Sequence, residues 1–161
     1  MKIPFSDLKK GFENKHYKFS AKDLKLNSIF FSHDIIDFYL SVISKNDEFQ
    51  INGILHSKLL EKCDRCLDQF IKNCKFPLKI LLSNRKNSDN HFDVIPFNQL
   101  KEFFNFRDII REIMIIERPF KTLCKNDCNG LCKECGKNLN KTQCKCESKS
   151  LNSPWEKLKN L

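Results

Sequence analysis

Cysteine is the residue whose spacing here can do chemistry: the chain has nine, six of them between positions 124 and 146. Cys132-Lys-Glu-Cys135 is followed at once by Gly136. A Cys-x-x-Cys-Gly turn points two thiolates and nearby amides at one metal ion, and the glycine can take the positive φ that closes the turn. Cys124-x-x-x-Cys128 and Cys144-x-Cys146 supply more ligands than one tetrahedral site needs. A further pair, Cys63-Asp-Arg65-Cys66, stands alone upstream.

Disulfides need an oxidising compartment. The N-terminal stretch Met1-Lys-Ile-Pro-Phe-Ser-Asp has no apolar h-region of the secretory kind, and Cys144-x-Cys146 is awkward to bridge internally. A redox Cys-x-x-Cys normally opens a helix after a strand, whereas here Gly136 follows and no βαβ pattern surrounds it. The reading is structural zinc, one or two ions. Cys74 lies on the apolar side of an alternating stretch and reads as a small core residue. The remaining eight thiols, Cys63, Cys66, Cys124, Cys128, Cys132, Cys135, Cys144 and Cys146, make two four-sulfur sites. One arrangement joins Cys132/Cys135 to Cys144/Cys146 and leaves Cys63/Cys66 to meet Cys124/Cys128. Interleaved pairings, or a single ion with spare thiols, stay open at the level of sequence. A four-thiolate site has no open position for water, so it is structural and not catalytic.

The chain carries 29 basic and 20 acidic residues, a formal net charge of +9. That balance suggests an anionic partner such as RNA. Two facts temper it. The basic residues are almost all Lys in a chain also rich in Asn, Ile and Phe, a bias that an AT-rich genome produces by itself. Four thiolates around one zinc ion would also remove two charges from the tail. The candidate phosphate contacts are Arg65, between the upstream thiols, and Lys62, Lys133, Lys137, Lys141 and Lys145 near the cysteines. Arg65 has a second role open to it, offsetting thiolate charge through hydrogen bonds. No apolar run approaches the roughly 20 residues of a membrane helix, and the chain is expected to be soluble and cytoplasmic. It shows no metal-hydrolase signature, phosphate-binding glycine loop or nucleophile–base spacing, so no enzyme and no small-molecule substrate are expected.

These thiols need a frame. Ile35–Ser44, Phe49–Leu60 and residues 69–82 read as strands from β-branched and aromatic content and period-2 alternation, with a turn at Asn46-Asp47. Gly53 marks a bulge or a close contact. Cys63–Cys66 then falls in a hairpin turn, a zinc-knuckle position. Ile3–Phe5, His16–Ser20, Leu26–Phe31 and Phe92–Phe97 are shorter strand candidates, Ser83–Asn90 is a polar loop, and His16 and His33 read as surface residues. Arg107–Glu117 has helical spacing, with Ile109, Ile113 and Ile116 in register, Asn105 as N-cap and Pro119 as terminator. The expected fold is α+β: a small antiparallel meander packed by one helix, with a C-terminal Cys-rich zinc-knuckle module. The expected domains are an α+β body over 1–118, including the Cys-x-Arg-Cys hairpin, and a zinc-binding tail over 119–161.

The motif set resembles the YceD family, named for large ribosomal RNA subunit accumulation. The matching residues are Cys63, Arg65, Cys66 and Leu67, then Leu123, Cys124, Asp127, Cys128, Gly130, Leu131, Cys132, Cys135, Gly136, Leu139, Asn140, Cys144 and Cys146. The closing segment around Ser153-Pro154-Trp155 and Leu158 resembles the family's Asp-Pro-Arg-x-x-x-Leu. Lys133 stands where the family has Pro. Trp155 stands where the family has Arg and is expected to pack as an apolar plug. The resemblance implies a non-enzymatic role in accumulation or maturation of large-subunit ribosomal RNA, with rRNA, a pre-ribosome or a ribosomal protein as partner. A thiol-redox or zinc-responsive interaction module is the alternative.

Overall fold

The computed structural model describes residues 1–84, 93–98 and 100–146 of the chain. The strands are β1 (Lys2–Pro4), β2 (Phe12–Ser20), β3 (Ile35–Lys45), β4 (Glu48–Lys62), β5 (Gln69–Leu82), β6 (Asp93–Ile95) and β7 (Phe103–Asn105). The helices are α1 (Phe5–Lys10) and α2 (Arg107–Ile116), with a 3-10 turn over Ala21–Leu24. The chain divides into two compact units: Met1–Glu61 with Phe70–Phe120, and Lys62–Gln69 with Lys121–Leu161.

The first unit is built on a five-stranded sheet in the order β2-β3-β4-β5-β6, beside a two-stranded β1-β7 pair. Alternation explains the long strands. Ile36, Phe38, Leu40 and Val42 of β3, Phe49, Ile51, Leu55 and Leu59 of β4, and Phe76, Leu78, Ile80 and Leu82 of β5 are buried, and polar residues mostly alternate with them. Asn46 and Asp47 both take positive φ (52° and 61°) between the paired Lys45 and Glu48, the two-residue turn that the twist of a hairpin favours. Gly53 is a close-contact point inside a regular ladder opposite Leu40. A Cβ there would lie 2.8 Å from a Phe38 ring carbon and 2.9 Å from a Leu40 methyl. The expected α+β architecture is therefore found.

Details differ from expectation. β6 runs parallel to β5, which makes the sheet mixed. The 3–5 stretch forms β1 only as far as Pro4. Phe5 then opens a six-residue helix whose fixed-φ neighbour Pro4 serves as its N-cap. Leu26–Phe31 is no strand; Phe31 makes one isolated bridge, to Leu59. The buried face of α2 is carried by Ile110 and Met114, with Ile109 and Ile113 partly buried and Ile116 68% exposed. The N-cap of α2 is Phe106, one residue after the expected Asn105, whose Oδ1 instead accepts from the Arg107 N–H at 3.2 Å. Beyond the helix, Arg118 donates to the buried Glu61 carboxylate at 2.6 Å and to the Ser28 carbonyl at 3.0 Å. Cys74 is half-buried against the apolar core, and burial pushes its thiol pKa up. The Trp155 segment and most of the Ser83–Asn90 loop lie outside the described residues.

Candidate metal centre

Among its described residues the second unit has little apolar interior. Its buried residues among those described are Cys63, Cys66, Cys128, Thr122 and Gly130. Backbone hydrogen bonds fold its turns. In the Cys63–Cys66 turn, Leu67 N–H donates to Cys63 O (2.9 Å) and Cys63 N–H to Asp68 O (2.9 Å), with Leu67 held at φ 60°. The Cys132–Cys135 turn closes by Gly136 N–H to Cys132 O (3.0 Å), Gly136 taking φ 69°. That is the left-handed geometry for which a glycine is suited. Gly130, also left-handed at φ 74°, has a second constraint. A Cβ on it would come within 3.1 Å of the Arg65 carbonyl, the same carbonyl that accepts from Leu131 N–H.

These turns gather the sulfurs into two groups, Cys63/Cys66/Cys124/Cys128 and Cys132/Cys135/Cys144/Cys146, with the four Sγ atoms of each within 4.8 Å of one another. All eight metal-candidate cysteines are in one group or the other, and Cys74 is in neither. Cys63 and Cys128 are 3.7 Å apart, Cys66 and Cys124 3.7 Å, and Cys132 and Cys144 3.3 Å. A tetrahedron of sulfurs at the usual zinc–sulfur length of about 2.3 Å has edges of about 3.8 Å. The donor set and its spacing fit zinc, and both groups could hold an ion of that kind. The first group is mostly buried and the second half-exposed.

The thiols of each group titrate very differently. Burial works against ionisation of Cys63, but backbone N–H groups of Cys66, Cys124 and Arg65 outweigh it and bring its pKa down to about 6. Cys132 is also lowered to about 6, chiefly by the N–H groups of Cys135 and Glu134. Cys124 is pushed up to about 12 by burial and by the neighbouring Cys66, Cys128 and Cys63 sulfurs, and Cys146 to about 12 by Cys135 and Cys144. Four sulfurs at this distance cannot all carry charge by themselves. A divalent cation removes that conflict, which is the electrostatic reason such a group suits a metal.

Other side chains brace the thiols. Asn140 Nδ2 donates to Cys128 Sγ at 3.3 Å, while Asn140 Oδ1 accepts from Asn129 N–H at 2.9 Å. Asp68 accepts from Asn138 Nδ2 (2.8 Å) and from Lys141 Nζ (2.9 Å), and the Lys141 ammonium holds the Asp68 carboxyl below its usual range. Asp64 Oδ2 accepts from Thr122 N–H at 2.5 Å. Of these, the sequence singled out Asn140, through the resemblance, and Lys141, as a candidate phosphate contact. Asp64, Asp68, Thr122 and Asn138 have no local signal, because their partners lie far away in the chain.

Of the six candidate phosphate contacts, Lys62, Arg65, Lys133, Lys137 and Lys145 are exposed in this unit. Arg65 also donates through Nη1 to the Cys128 carbonyl at 3.0 Å, a bond to backbone and not to a thiolate sulfur. Lys141 is exposed but ion-paired with Asp68.

A family model described as "Large ribosomal RNA subunit accumulation protein YceD" matches residues 51–161, well over half of the chain. The protein belongs to the YceD family. No curated protein and no solved structure matches it. The family's description gives its members a part in ribosome biogenesis at the level of large-subunit RNA. No helix among the described residues is long and apolar enough to cross a membrane.

Proposed function

We propose that the protein is a cytoplasmic, non-enzymatic factor that supports maturation of large-subunit ribosomal RNA by binding it. An α+β body over 1–118 and a metal-holding tail over 119–161 divide the work, and the tail uses the Cys63–Cys66 turn for one of its two zinc sites. Family membership carries this reading. The paired four-sulfur groups support a structural role for zinc, since each has all four positions filled by protein. Exposed Lys62, Arg65, Lys133, Lys137 and Lys145 then act as phosphate contacts around the metal unit.

Deleting the gene and comparing large- with small-subunit rRNA tests the role. A selective fall of the large-subunit species is expected, and an unchanged ratio overturns the reading. Zinc analysis with thiol titration tests the sites. Two ions per chain and eight thiols released by chelator are expected. Freely reactive thiols with no metal would favour a thiol-redox protein.

A further inference from the structure

The face of the body's sheet that points away from its apolar core carries stacked rings beside a group of lysines. Register places two short rows across three strands there. One is His16–Tyr39–Ile54, the other Lys18–Asp37–His56. The His16 and Tyr39 rings stack in parallel, centroids 4.5 Å apart and planes 6° from coplanar, and the His56 ring follows at 5.4 Å from Tyr39. His16 Nε2 lies 2.7 Å from Asp37 Oδ1, which fixes the stack in place. Two depressions meet at His56. One, of about 450 Å³, is lined by Lys18, His33, Asp37, His56, Lys58 and Lys75, among others. The other, of about 460 Å³, is lined by Asn14, Tyr39, Asn52, Ile54 and their neighbours.

Three ammonium groups against one carboxylate make the first depression a site for an anion. The second depression is ring-lined, amide-edged and free of charge. Charge beside a π surface is the combination that suits an unpaired polynucleotide: phosphates sit among the lysines, and bases lie on the rings. A duplex keeps its base faces hidden and would use the lysines alone. An apolar protein partner would leave Lys58 and Lys75 desolvated without acceptors.

We propose that this sheet face binds single-stranded RNA, with bases against His16, Tyr39 and His56 and phosphates held by Lys18, Lys58 and Lys75. The proposal rests on the RNA-binding reading above and adds a second contact region to it.

The test uses the full zinc-loaded chain and a fluorescein-labelled 12-nucleotide single-stranded RNA of mixed sequence, read by anisotropy, with the annealed duplex alongside. The strand is expected to bind more tightly than the duplex. Tyr39→Leu keeps an apolar side chain but removes the ring, and should weaken strand binding by about 5- to 100-fold. Lys58→Ala/Lys75→Ala, both in the first depression, should weaken it too and lower the salt slope by about 1 to 2. Lys9→Ala/Lys10→Ala, on α1, should leave the affinity within about 2-fold. Full affinity in both sheet variants, with loss only on changing Arg65 and Lys133, overturns the sheet proposal and keeps the RNA reading. No binding by the native chain sinks both. Equal affinity for strand and duplex, unmoved by Tyr39→Leu, overturns the stacking geometry and leaves a generic basic surface.

Discussion

The two units are built on different chemistry. The body has more than twenty buried apolar side chains, with Phe38, Phe49, Phe106, Ile110 and Met114 among the most enclosed. The metal unit buries three cysteines, a threonine and a glycine among its described residues, and its order comes from turns, hydrogen bonds and sulfur groups. Apolar burial of about 25 cal/mol per Å² stabilises the first without a ligand. Among the described residues of the second, nothing comparable is buried. Folding of the body is thus intrinsic, whereas folding of the metal unit is expected to depend on an ion held by its sulfur groups.

That contrast can be broken from either side. The largest effect should come from a strong chelator. Amide protection at Leu131, Cys132, Gly136 and Leu139 should collapse while the β3–β4 ladder keeps its protection, since structural zinc supplies on the order of 10 kcal/mol or more. Hydrogen exchange with and without chelator reads this directly, and protection surviving metal removal would end the comparison. Phe38→Ala is the converse. It should destabilise the body by about 3–5 kcal/mol in denaturant unfolding while the metal content per chain stays the same.

Asn140→Ala probes a smaller contribution, the N–H···S hydrogen bond to Cys128. Competition with a chromophoric chelator should show metal affinity at one of two sites lower by about 10- to 100-fold, with the body's unfolding unchanged. Asp34→Asn should have the smallest effect. The Ser20 hydroxyl donates to both Asp34 carboxylate oxygens, at 2.9 and 3.0 Å, and outweighs desolvation in holding that carboxyl below its ordinary pKa. A depressed folded pKa contributes stability above the unfolded value, and it is lost as pH falls through the folded one. The Tm gap between native chain and Asp34→Asn should therefore be present at pH 7 and shrink towards pH 3; a gap that widens in acid would contradict it.

Legibility followed the same divide. β3, β4 and β5 were readable because a half-buried strand writes its face into every second residue, and the Asn46-Asp47 turn because both residues tolerate positive φ. The Cys-x-x-Cys-Gly turn was readable because its geometry is local. Six-residue α1 is too short to show a period, and Pro4 before it reads equally as an edge strand. The face of α2 shifted because Ile109, Ile110, Ile113, Met114 and Ile116 offer overlapping apolar stripes, and only packing chooses among them. Asp68, whose partners Asn138 and Lys141 lie 70 and 73 residues downstream, leaves no mark in the sequence around it. Neither do the cross-strand rows of the outer sheet face, which register alone assembles.

One feature of the metal unit bears on how the chain is made. The second sulfur group closes within 15 consecutive residues, Cys132 to Cys146, whereas the first joins Cys63 to Cys128 across 65 positions. At synthesis rates of about 5–20 residues per second, Cys63 waits roughly 3–13 s for its last sulfur partner to be made. During that interval the nascent chain displays an open pair of thiols. Oxidants, or a softer metal arriving early, have their best access then, before the protein is complete.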